Sequence, residues 1–313
     1  MKNKLLIPMI LLLMVVSSAC GSQAGNPESA PSQDGSASAA DSKESGKITY
    51  QSERGPVEVP ASPKRIVALT NAPNVLALEG TLVGVDQWTK MNPLFTKKLD
   101  GVEVVSEADL EKITAQDPDL IIAGAQMKNI AELNKIAPTV VYTWGKLDYL
   151  EQQLEIGKLL NKEKEAQAWV DDFKQRAGAT GKEIKAKLGD NVTVSVFETD
   201  AKSFYVFGDK WARGTEILYQ AMGLNMPDPV KKEALGPGYY MLSKEVLPEY
   251  AGDYIVLSRD PEGDASFMES EIWKGIPAVK NHHVIEINTK ASSYSDPITL
   301  EYLLGIFKKG FLE

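Results

Sequence analysis

The chain has 313 residues, 34 Lys and Arg against 43 Asp and Glu, a formal net charge of −9 and one cysteine. The length is typical of about two domains, and the acidic balance excludes sequence-independent nucleic-acid binding, which needs a basic face to neutralise phosphates. One cysteine excludes an internal disulfide and a cysteine-rich zinc site, and the adjacent His282 and His283 do not form the usual cluster of nitrogen ligands for a transition metal.

The N-terminus has the pattern of a secretory signal. Two lysines precede an apolar run at residues 5–16, which is shorter than the ~20 residues of a membrane-spanning helix. The sequence VSSAC at residues 16–20 resembles a bacterial lipobox, with Ser17 where leucine is commonest. We expect residues 1–19 to be a lipoprotein signal peptide and Cys20 to carry the lipid, whose several acyl chains (palmitate type) anchor the protein stably outside the cell membrane. Ordinary secretion without an anchor is the alternative.

A polar segment follows the cysteine. Residues 21–46 contain no Leu, Ile, Val, Phe, Tyr or Trp, so they cannot bury enough apolar surface to offset their chain entropy. We expect residues 20–46 to form the lipidated cysteine and a disordered tether, and folding to begin near Lys47.

Buried-strand and helix patterns alternate in the first half of the folded region, residues 47–160. This alternation predicts parallel βαβ units with helices covering a sheet. The predicted strands are Ile66–Leu69, Leu120–Ala123 and Val140–Tyr142, and the predicted helices between them include Ala108–Ala115 and Ile130–Ile136.

A long helix-favouring stretch runs from Leu150 to Leu188 without proline. Gly178 and Gly181 are expected to weaken it by about 1 kcal/mol each relative to alanine. We assign residues 161–189 to a helix about 40 Å long that joins two lobes. A stiff connection of this kind predicts small lobe movements rather than wide hinge closure.

The strand pattern restarts in residues 190–313, with predicted strands at 192–197, Tyr254–Leu257 and Val284–Ile287. The two halves share one spacing between a glutamate and an aspartate. Glu111 precedes Asp119 by eight residues, and Glu245 precedes Asp253 by the same distance, with a strand after each aspartate. This repeat favours a pseudo-duplicated, two-lobed α/β protein, although α/β chains share some of this pattern in general.

Sequence signatures of catalysis are scarce. The chain has no P-loop, no HExxH and no GxSxG. GPGYYM at residues 236–241 lacks the third glycine of a dinucleotide loop and is interpreted as a turn. His282 and His283 precede a predicted strand and are interpreted as a solvated turn. We therefore expect a binding protein rather than an enzyme, with an anchored hydrolase as the remote alternative.

Aromatic residues occupy several loops after predicted strands, where α/β sheets place their ligands. Trp211 and Arg213 are two residues apart in FYVFGDKWARG. An indole face and a guanidinium fork at this spacing can bind one amphipathic ligand that carries acceptor oxygens. Local packing is the alternative for each ring. The aromatic candidates, several of which fall in such loops, are Trp88, Trp144, Tyr205, Trp211 and Tyr294.

The region of about 47–313 resembles the iron-siderophore class of ABC-transporter substrate-binding proteins, and within it the ferric hydroxamate-binding lipoproteins of Gram-positive bacteria. The resemblance rests on PKRIVAL, EKITAQDPDLII, KIAPTVV, YVFGDKWARG, EYAGDYIV, IWKGIPAVKNHHV and SDPITLEYLL. It implies two Rossmann-like lobes joined by a single long helix and a monomer that delivers a ferric siderophore to a permease with its ATPase. It also implies that iron is held by the siderophore, with no resident cofactor and no protein metal ligand.

The resemblance also implies roles for individual residues. Tyr205, Trp211, Arg213 and Tyr294 would line the C-terminal side of the cleft, and Trp144 the N-terminal side. Trp88 is a further N-terminal candidate from its position alone, whereas the loop at residues 70–72 departs from the family pattern. Glu111 and Glu245 match the paired carboxylates with which the family engages its permease.

Charge favours one kind of siderophore. Loss of residues 1–19 removes two lysines and makes the net charge −11, and Arg213 is the one clear cation of the aromatic loops. A ferric tris-catecholate carries about three negative charges and needs several cations to offset its desolvation, whereas hydroxamate complexes are near neutral or weakly positive. We expect a hydroxamate, with a catecholate, ferric citrate, haem or cobalamin as alternatives.

Overall fold

The computed structural model of the protein describes residues 46–199 and 203–313. The predicted signal peptide, the predicted lipidation site Cys20 and the tether before residue 46 lie outside the described residues. Among the described residues, no helix combines the length and the apolar character that crossing a bilayer requires.

The N-terminal lobe is built on a five-stranded parallel sheet. Its strands are short apolar runs buried on both faces, as expected when helices cover a parallel sheet. The strand order is β5-β4-β3-β6-β7, so the loops after β3 and β6 open on a crevice where the order reverses. The elements are β1 (Lys47–Ser52), β2 (Gly55–Pro60), β3 (Ile66–Ala68), α1 (Ala72–Ala77), β4 (Leu82–Val85), α2 (Gln87–Met91), β5 (Glu103–Val104), α3 (Leu110–Ala115), β6 (Leu120–Gly124), α4 (Ile130–Ile136), β7 (Thr139–Tyr142) and α5 (Tyr149–Leu159).

The connecting helix α6 (Glu163–Leu188) has 26 residues and is about 39 Å long. The helical stretch predicted from Leu150 onwards is divided in two, because Asn161 adopts a left-handed conformation with φ of 56°. Gly181 lies against the backbone of Met222, where a Cβ atom would come within 2.1 Å of the carbonyl oxygen. This glycine therefore permits a close approach of two backbones, which its effect on helix propensity alone does not reveal.

The C-terminal lobe repeats the strand order, as β10-β9-β8-β11-β12. This sheet is mixed, because β9 runs antiparallel to both β8 and β10. The elements are β8 (Val194–Thr199), β9 (Phe204–Phe207), a π-helical segment (Glu216–Ala221), α7 (Asp228–Ala234), β10 (Tyr239–Leu242), a 3-10 turn (Lys244–Val246), α8 (Leu247–Tyr250), β11 (Tyr254–Arg259), a 3-10 turn (Ser266–Glu269), α9 (Glu271–Gly275), α10 (Pro277–Lys280), β12 (Val284–Asn288) and α11 (Pro297–Leu312).

The interpretation of residues 236–241 as a turn is wrong for their second half. Tyr239–Leu242 pair with Phe204–Phe207 as the edge strand β10, and the turn ends at Gly238, whose φ is 93°. The error arose because the glycines dominate the local pattern, while the strand is specified by its partner β9, which is distant in sequence.

The repeat predicted from sequence has a structural counterpart. The Asp119 carboxylate accepts hydrogen bonds from the backbone N–H groups of Lys64 (2.7 Å) and Arg65 (3.0 Å), just before β3. Asp253 accepts from the N–H and the hydroxyl of Thr193, both at 2.8 Å, just before β8. Each aspartate thus ties the start of its own strand to the first strand of the sheet, and the prediction of two related α/β lobes is confirmed.

The lobes are joined by more than α6. Tyr149 and Leu150 of α5 pack into the core of the C-terminal lobe. Tyr294, three residues before α11, and Ile298 of α11 pack against the core of the N-terminal lobe. Helices α1 and α11 are also in contact. Each lobe therefore contributes apolar side chains to the other, which fixes their orientation beyond what one helix can do.

The two glycines of α6 provide a test of this packing. We expect Gly181→Ala to lower the free energy of unfolding by about 1–3 kcal/mol, because its Cβ would overlap the Met222 backbone. Gly178→Ala should instead raise it by up to about 1 kcal/mol, because the nearest atom to its Cβ lies at 3.8 Å. Urea unfolding of both variants measures the difference, and equal effects would contradict the close approach.

Candidate ligand-binding cleft

Loops from the two lobes meet where the carboxyl ends of their parallel strands face each other. The ring of Trp144, after β7, contacts the ring of Trp211 edge to face, with centroids 4.9 Å apart and an interplanar angle of 81°. The hydroxyls of Thr89 in α2 and Tyr294 after β12 lie 3.1 Å apart. Residues predicted for opposite sides of a cleft are therefore brought together by the fold.

The aromatic cluster extends into the C-terminal lobe. Tyr239 of β10 lies between the rings of Trp211 (5.2 Å between centroids) and Tyr205 (6.0 Å). Trp144 and Tyr239 remain 72% and 42% exposed, so the cluster offers aromatic surface to a ligand. Tyr239 was missed from sequence because its strand was interpreted as a turn. The signal was present, since two tyrosines directly follow the glycines of GPGYYM.

Arg213 is held by a carboxylate that sequence analysis also missed. Its Nε and Nη2 donate to the two oxygens of Glu198, both at 2.8 Å. The guanidinium carbon lies 5.0 Å from the centroid of the Phe207 ring. Ser258 donates its hydroxyl to the same carboxylate at 2.8 Å. Arg213, predicted as the one clear cation of these loops, is thus part of a neutral pair.

Trp211 and Arg213 stand on a loop with an unusual backbone. Ala212, Arg213 and Gly214 have φ values of 58°, 55° and 78°, all left-handed, which costs roughly 1–2 kcal/mol for each non-glycine residue. At Gly214 a Cβ atom would lie 2.4 Å from the Phe307 ring. Hydrogen bonds hold the loop: Arg213 N–H donates to the Ser292 carbonyl (2.8 Å) and Trp211 N–H to the Thr215 hydroxyl (3.1 Å).

The buried side chain of Glu216 stabilises the same loop by hydrogen bonds. Its carboxylate accepts from the N–H of Ala212 and the hydroxyl of Thr215, both at 3.1 Å, and is buried. Burial raises the pKa of Glu216, against the effect of these hydrogen bonds and one from Ser295. Glu216 begins the π-helical segment, a geometry that is common at functional sites.

The N-terminal hairpin supports Trp144. Glu53, in the turn between β1 and β2, accepts from the N–H of Thr143 at 3.2 Å and pairs with Lys146 at 3.3 Å. Burial acts to raise the pKa of Glu53, but the Thr143 hydrogen bonds and Lys146 outweigh it and lower the pKa. Arg54 donates to the carbonyl of Ala125 at 3.0 Å. The hairpin was not predicted, and it fixes the loop on which Trp144 stands.

The remaining N-terminal candidates border the cleft. Trp88 is 78% exposed in α2, next to the Thr89 that bonds Tyr294; in the described ranges its ring makes no contact with those of Trp144 and Trp211. Asn71 follows β3 with φ of 55°, and its Nδ2 is buried without a hydrogen-bond partner among the described residues. The loop at residues 70–72, which departs from the family pattern, thus places the Asn71 amide at the crevice as a hydrogen-bond donor without a partner among the described residues.

Tyr294 lies two residues before the buried carboxyl group of Asp296. Its ring packs on Phe95 of the N-terminal lobe, and burial raises the pKa of its hydroxyl. Two residues later, Asp296 caps α11 by accepting from the N–H groups of Ile298 (2.9 Å) and Thr299 (3.3 Å). Burial raises the pKa of Asp296 to about 6, although these hydrogen bonds oppose the shift.

Glu111, Glu245 and the histidines lie apart from the aromatic cluster. Both glutamates are exposed on the surface. His283 stacks on Tyr254 with centroids 4.2 Å apart, and His282 is in a turn with φ of 60°. Within residues 46–199 and 203–313, no group of three or more His, Cys, Asp or Glu side chains is arranged to hold a metal ion.

Several known proteins are similar to this chain in sequence and in architecture. Residues 66–291 match the periplasmic binding protein family. The iron(3+)-hydroxamate-binding protein FhuD of Bacillus subtilis (strain 168) is 37% identical over 93% of this chain and 92% of that protein. The putative ABC transporter substrate-binding lipoprotein YhfQ of the same organism is 29% identical over 92% and 91%. The structure of FhuD2 from Staphylococcus aureus with bound ferrioxamine B has a TM-score of 0.75 and 34% identity, covering 80% of this chain and 98% of that chain.

The buried Asp296 predicts a pH dependence of stability. Because its pKa is raised from 3.8 to about 6, the folded state binds this proton more tightly than the unfolded state. Its contribution is therefore fully present below pH ~4 and is lost as the pH rises through ~6, a change of roughly 3 kcal/mol. We expect Asp296→Asn, which keeps an oxygen for the Ile298 N–H, to abolish this slope in urea unfolding curves.

Asp264→Asn is the matched control for this measurement, because Asp264 is exposed and caps a turn through the N–H of Ser266. It should leave the slope between pH 4 and 6 as in the wild type. A wild-type slope that persists in Asp296→Asn would show that other groups produce it.

Proposed function

This chain belongs to the periplasmic binding protein family, and we propose that it is the substrate-binding component of an ABC importer that captures a ferric hydroxamate siderophore. Family membership agrees with the expectation of a carrier rather than an enzyme. The observation that carries the proposal is the meeting of Trp144, Trp211 and Tyr239 in one cleft beside Arg213. Of two similar proteins, one is an iron(3+)-hydroxamate-binding protein and the other has a structure with bound ferrioxamine B.

The side chains suit the outer shell of such a complex. Aromatic rings bury the apolar spacers of a hydroxamate siderophore. Arg213 uses three of its five N–H groups on Glu198 and the Trp211 carbonyl, which leaves two for ligand oxygens. A hexadentate siderophore fills the coordination sphere of iron, so the protein supplies no metal ligand. The neutral Arg213–Glu198 pair offers little to a highly charged catecholate, for which binding would need unpaired cations.

We place the protein on the outer face of the cell membrane, anchored by lipid at Cys20. The lipobox-like sequence at residues 16–20 supports this location, as does the similarity to a protein named as a lipoprotein. The folded region would then be joined to the anchor through the polar segment at residues 21–46.

Glu111 and Glu245 are our proposed contacts with the permease, and topology supports this role. Glu111 lies in α3, the first helix after the edge strand β5, and Glu245 lies in the 3-10 turn after the edge strand β10. Both strands hold the same place in their sheets. One exposed carboxylate thus stands at the equivalent corner of each lobe, which suits a permease with one basic socket per subunit.

Ligand binding is tested first at the aromatic loop. We expect Trp211→Ala and Arg213→Ala each to weaken binding of a ferric trihydroxamate such as ferrioxamine B about tenfold or more, because an indole surface or a charged hydrogen bond is lost. Arg176→Ala is the control, since Arg176 makes a similar two-fold contact with Glu301 between α6 and α11. Calorimetric titration measures affinity, and ferric citrate and a ferric catecholate serve as competing ligands.

Wild-type affinity in both cleft variants would mean that the pocket lies elsewhere. Tighter binding of the catecholate than of any hydroxamate by the wild type would contradict the proposed ligand class. Arg213→Ala also leaves Glu198 without its partner, so melting temperatures are measured in parallel to separate binding from stability.

Docking is tested by separating uptake from binding. We expect Glu111→Ala/Glu245→Ala to reduce siderophore uptake by cells while the solution affinity stays within about twofold, because neither carboxylate belongs to the cleft. Each single substitution should reduce uptake less than the double substitution does, because exposed ion pairs are individually weak. Glu165→Ala/Glu183→Ala, on the exposed surface of α6, removes the same charge and should leave uptake unchanged. A parallel loss of affinity would place the two glutamates in the cleft instead.

A further inference from the structure

The Arg213–Glu198 pair is built into the wall of the cleft. The side chains of Arg213 and Glu198 are 18% and 15% exposed, so the pair is neither a solvated surface contact nor fully enclosed. Glu198 is the next-to-last residue of β8, and its carboxylate accepts a hydrogen bond from the Ser258 hydroxyl of β11, which in turn contacts the Thr289 hydroxyl at 2.9 Å. The carboxylate is therefore held by hydrogen bonds from Arg213 and from a neighbouring strand.

We propose that Glu198 determines the charge preference of the cleft, by cancelling the charge of Arg213 while leaving two of its N–H donors free for ligand oxygens. This inference rests on the proposed function and names the residue that selects among ferric chelates. The paired arginine acts as a hydrogen-bond donor without net charge. Neutral and cationic ferric hydroxamates can then bind, whereas anionic chelates gain no compensation for their lost hydration.

Among the described residues, the other charges near the aromatic cluster are of both signs: Lys210, next to Trp211, is exposed and follows Asp209 in sequence. On the N-terminal side, Lys146 is paired with Glu53. Asp86 caps α2 by accepting from the N–H and hydroxyl of Thr89, next to Tyr294. Arg54 is exposed in the hairpin turn and donates to a backbone carbonyl. In the described part of the chain, an anion at the aromatic cluster would thus meet acids as well as bases, and Glu198 is the acid that contacts Arg213, whose donors the anion would use.

A purely structural role for Glu198 makes a different prediction. If the pair only stabilised the fold, its loss would weaken the binding of all ligands in parallel. If it sets charge preference, the ratio of affinities for two ligands of different charge must change. The ratio is measured within one variant, so a general loss of stability cancels from it.

The test measures two affinities, for ferrioxamine B and for ferric citrate, in the full chain without its signal peptide. In Glu198→Gln, the ratio of citrate to ferrioxamine affinity should rise about tenfold or more, and citrate binding should become strongly salt-dependent. In Arg213→Gln, where Glu198 is uncompensated, the ratio should fall. The double variant Glu198→Gln/Arg213→Gln should return close to the wild-type ratio.

Glu301→Gln, which breaks the Arg176 contact far from the aromatic cluster, should leave the ratio unchanged. If Glu198→Gln does not fold, the role of Glu198 is still tested by two results: the lower affinity ratio in Arg213→Gln and the return of this ratio in the double variant. A ratio that stays constant across all cleft variants while the wild type binds ferrioxamine B overturns the role of Glu198. Failure of the wild type to bind any ferric hydroxamate overturns the proposed function instead.

Discussion

Three consecutive left-handed residues, Ala212, Arg213 and Gly214, are the constraint on which the C-terminal side of the cleft depends. Such a backbone is unfavourable by itself, so it persists only because its surroundings over-determine it. Glu216 accepts the Ala212 N–H, and Glu198 holds the Arg213 side chain in two places. This geometry turns a short loop into a rigid platform, on which an indole and a guanidinium are both fixed before a ligand arrives. Such preorganisation reduces the entropy that binding must overcome.

The opposite side of the cleft is fixed in a similar way. A carboxylate from the hairpin turn, Glu53, holds the peptide before Trp144, so each of the two indoles that meet across the cleft stands on a loop held by an acid of its own lobe. The indoles contact each other edge to face, an arrangement worth about 1 kcal/mol. Under the proposed function, a ligand that enters between them would replace this contact with its own apolar surface. The exchange needs only a small opening, in keeping with lobes that also share core residues through α5 and α11.

Sequence alone predicted the two-lobed α/β fold and the bridging helix, because these follow from local periodicity and helix propensity. It also assigned Trp144 and Trp211 to loops, and their rings meet in the structure. It did not predict the edge strand β10 or Tyr239, since an edge strand is specified by a partner distant in sequence. Glu198 and Glu53 were missed for a related reason: a carboxylate among many acids shows its role only when folding brings it to Arg213 or Thr143.

The close contact between Gly181 and Met222 has a mechanical consequence. Met222 directly follows the π-helical segment whose first residue, Glu216, holds the left-handed loop, and Gly181 belongs to the helix that spans both lobes. The left-handed loop, the π-helical segment and the bridging helix are thus connected through consecutive contacts. Because the two backbones leave no space for a side chain between them, a displacement of the π-helical segment would reach α6 directly.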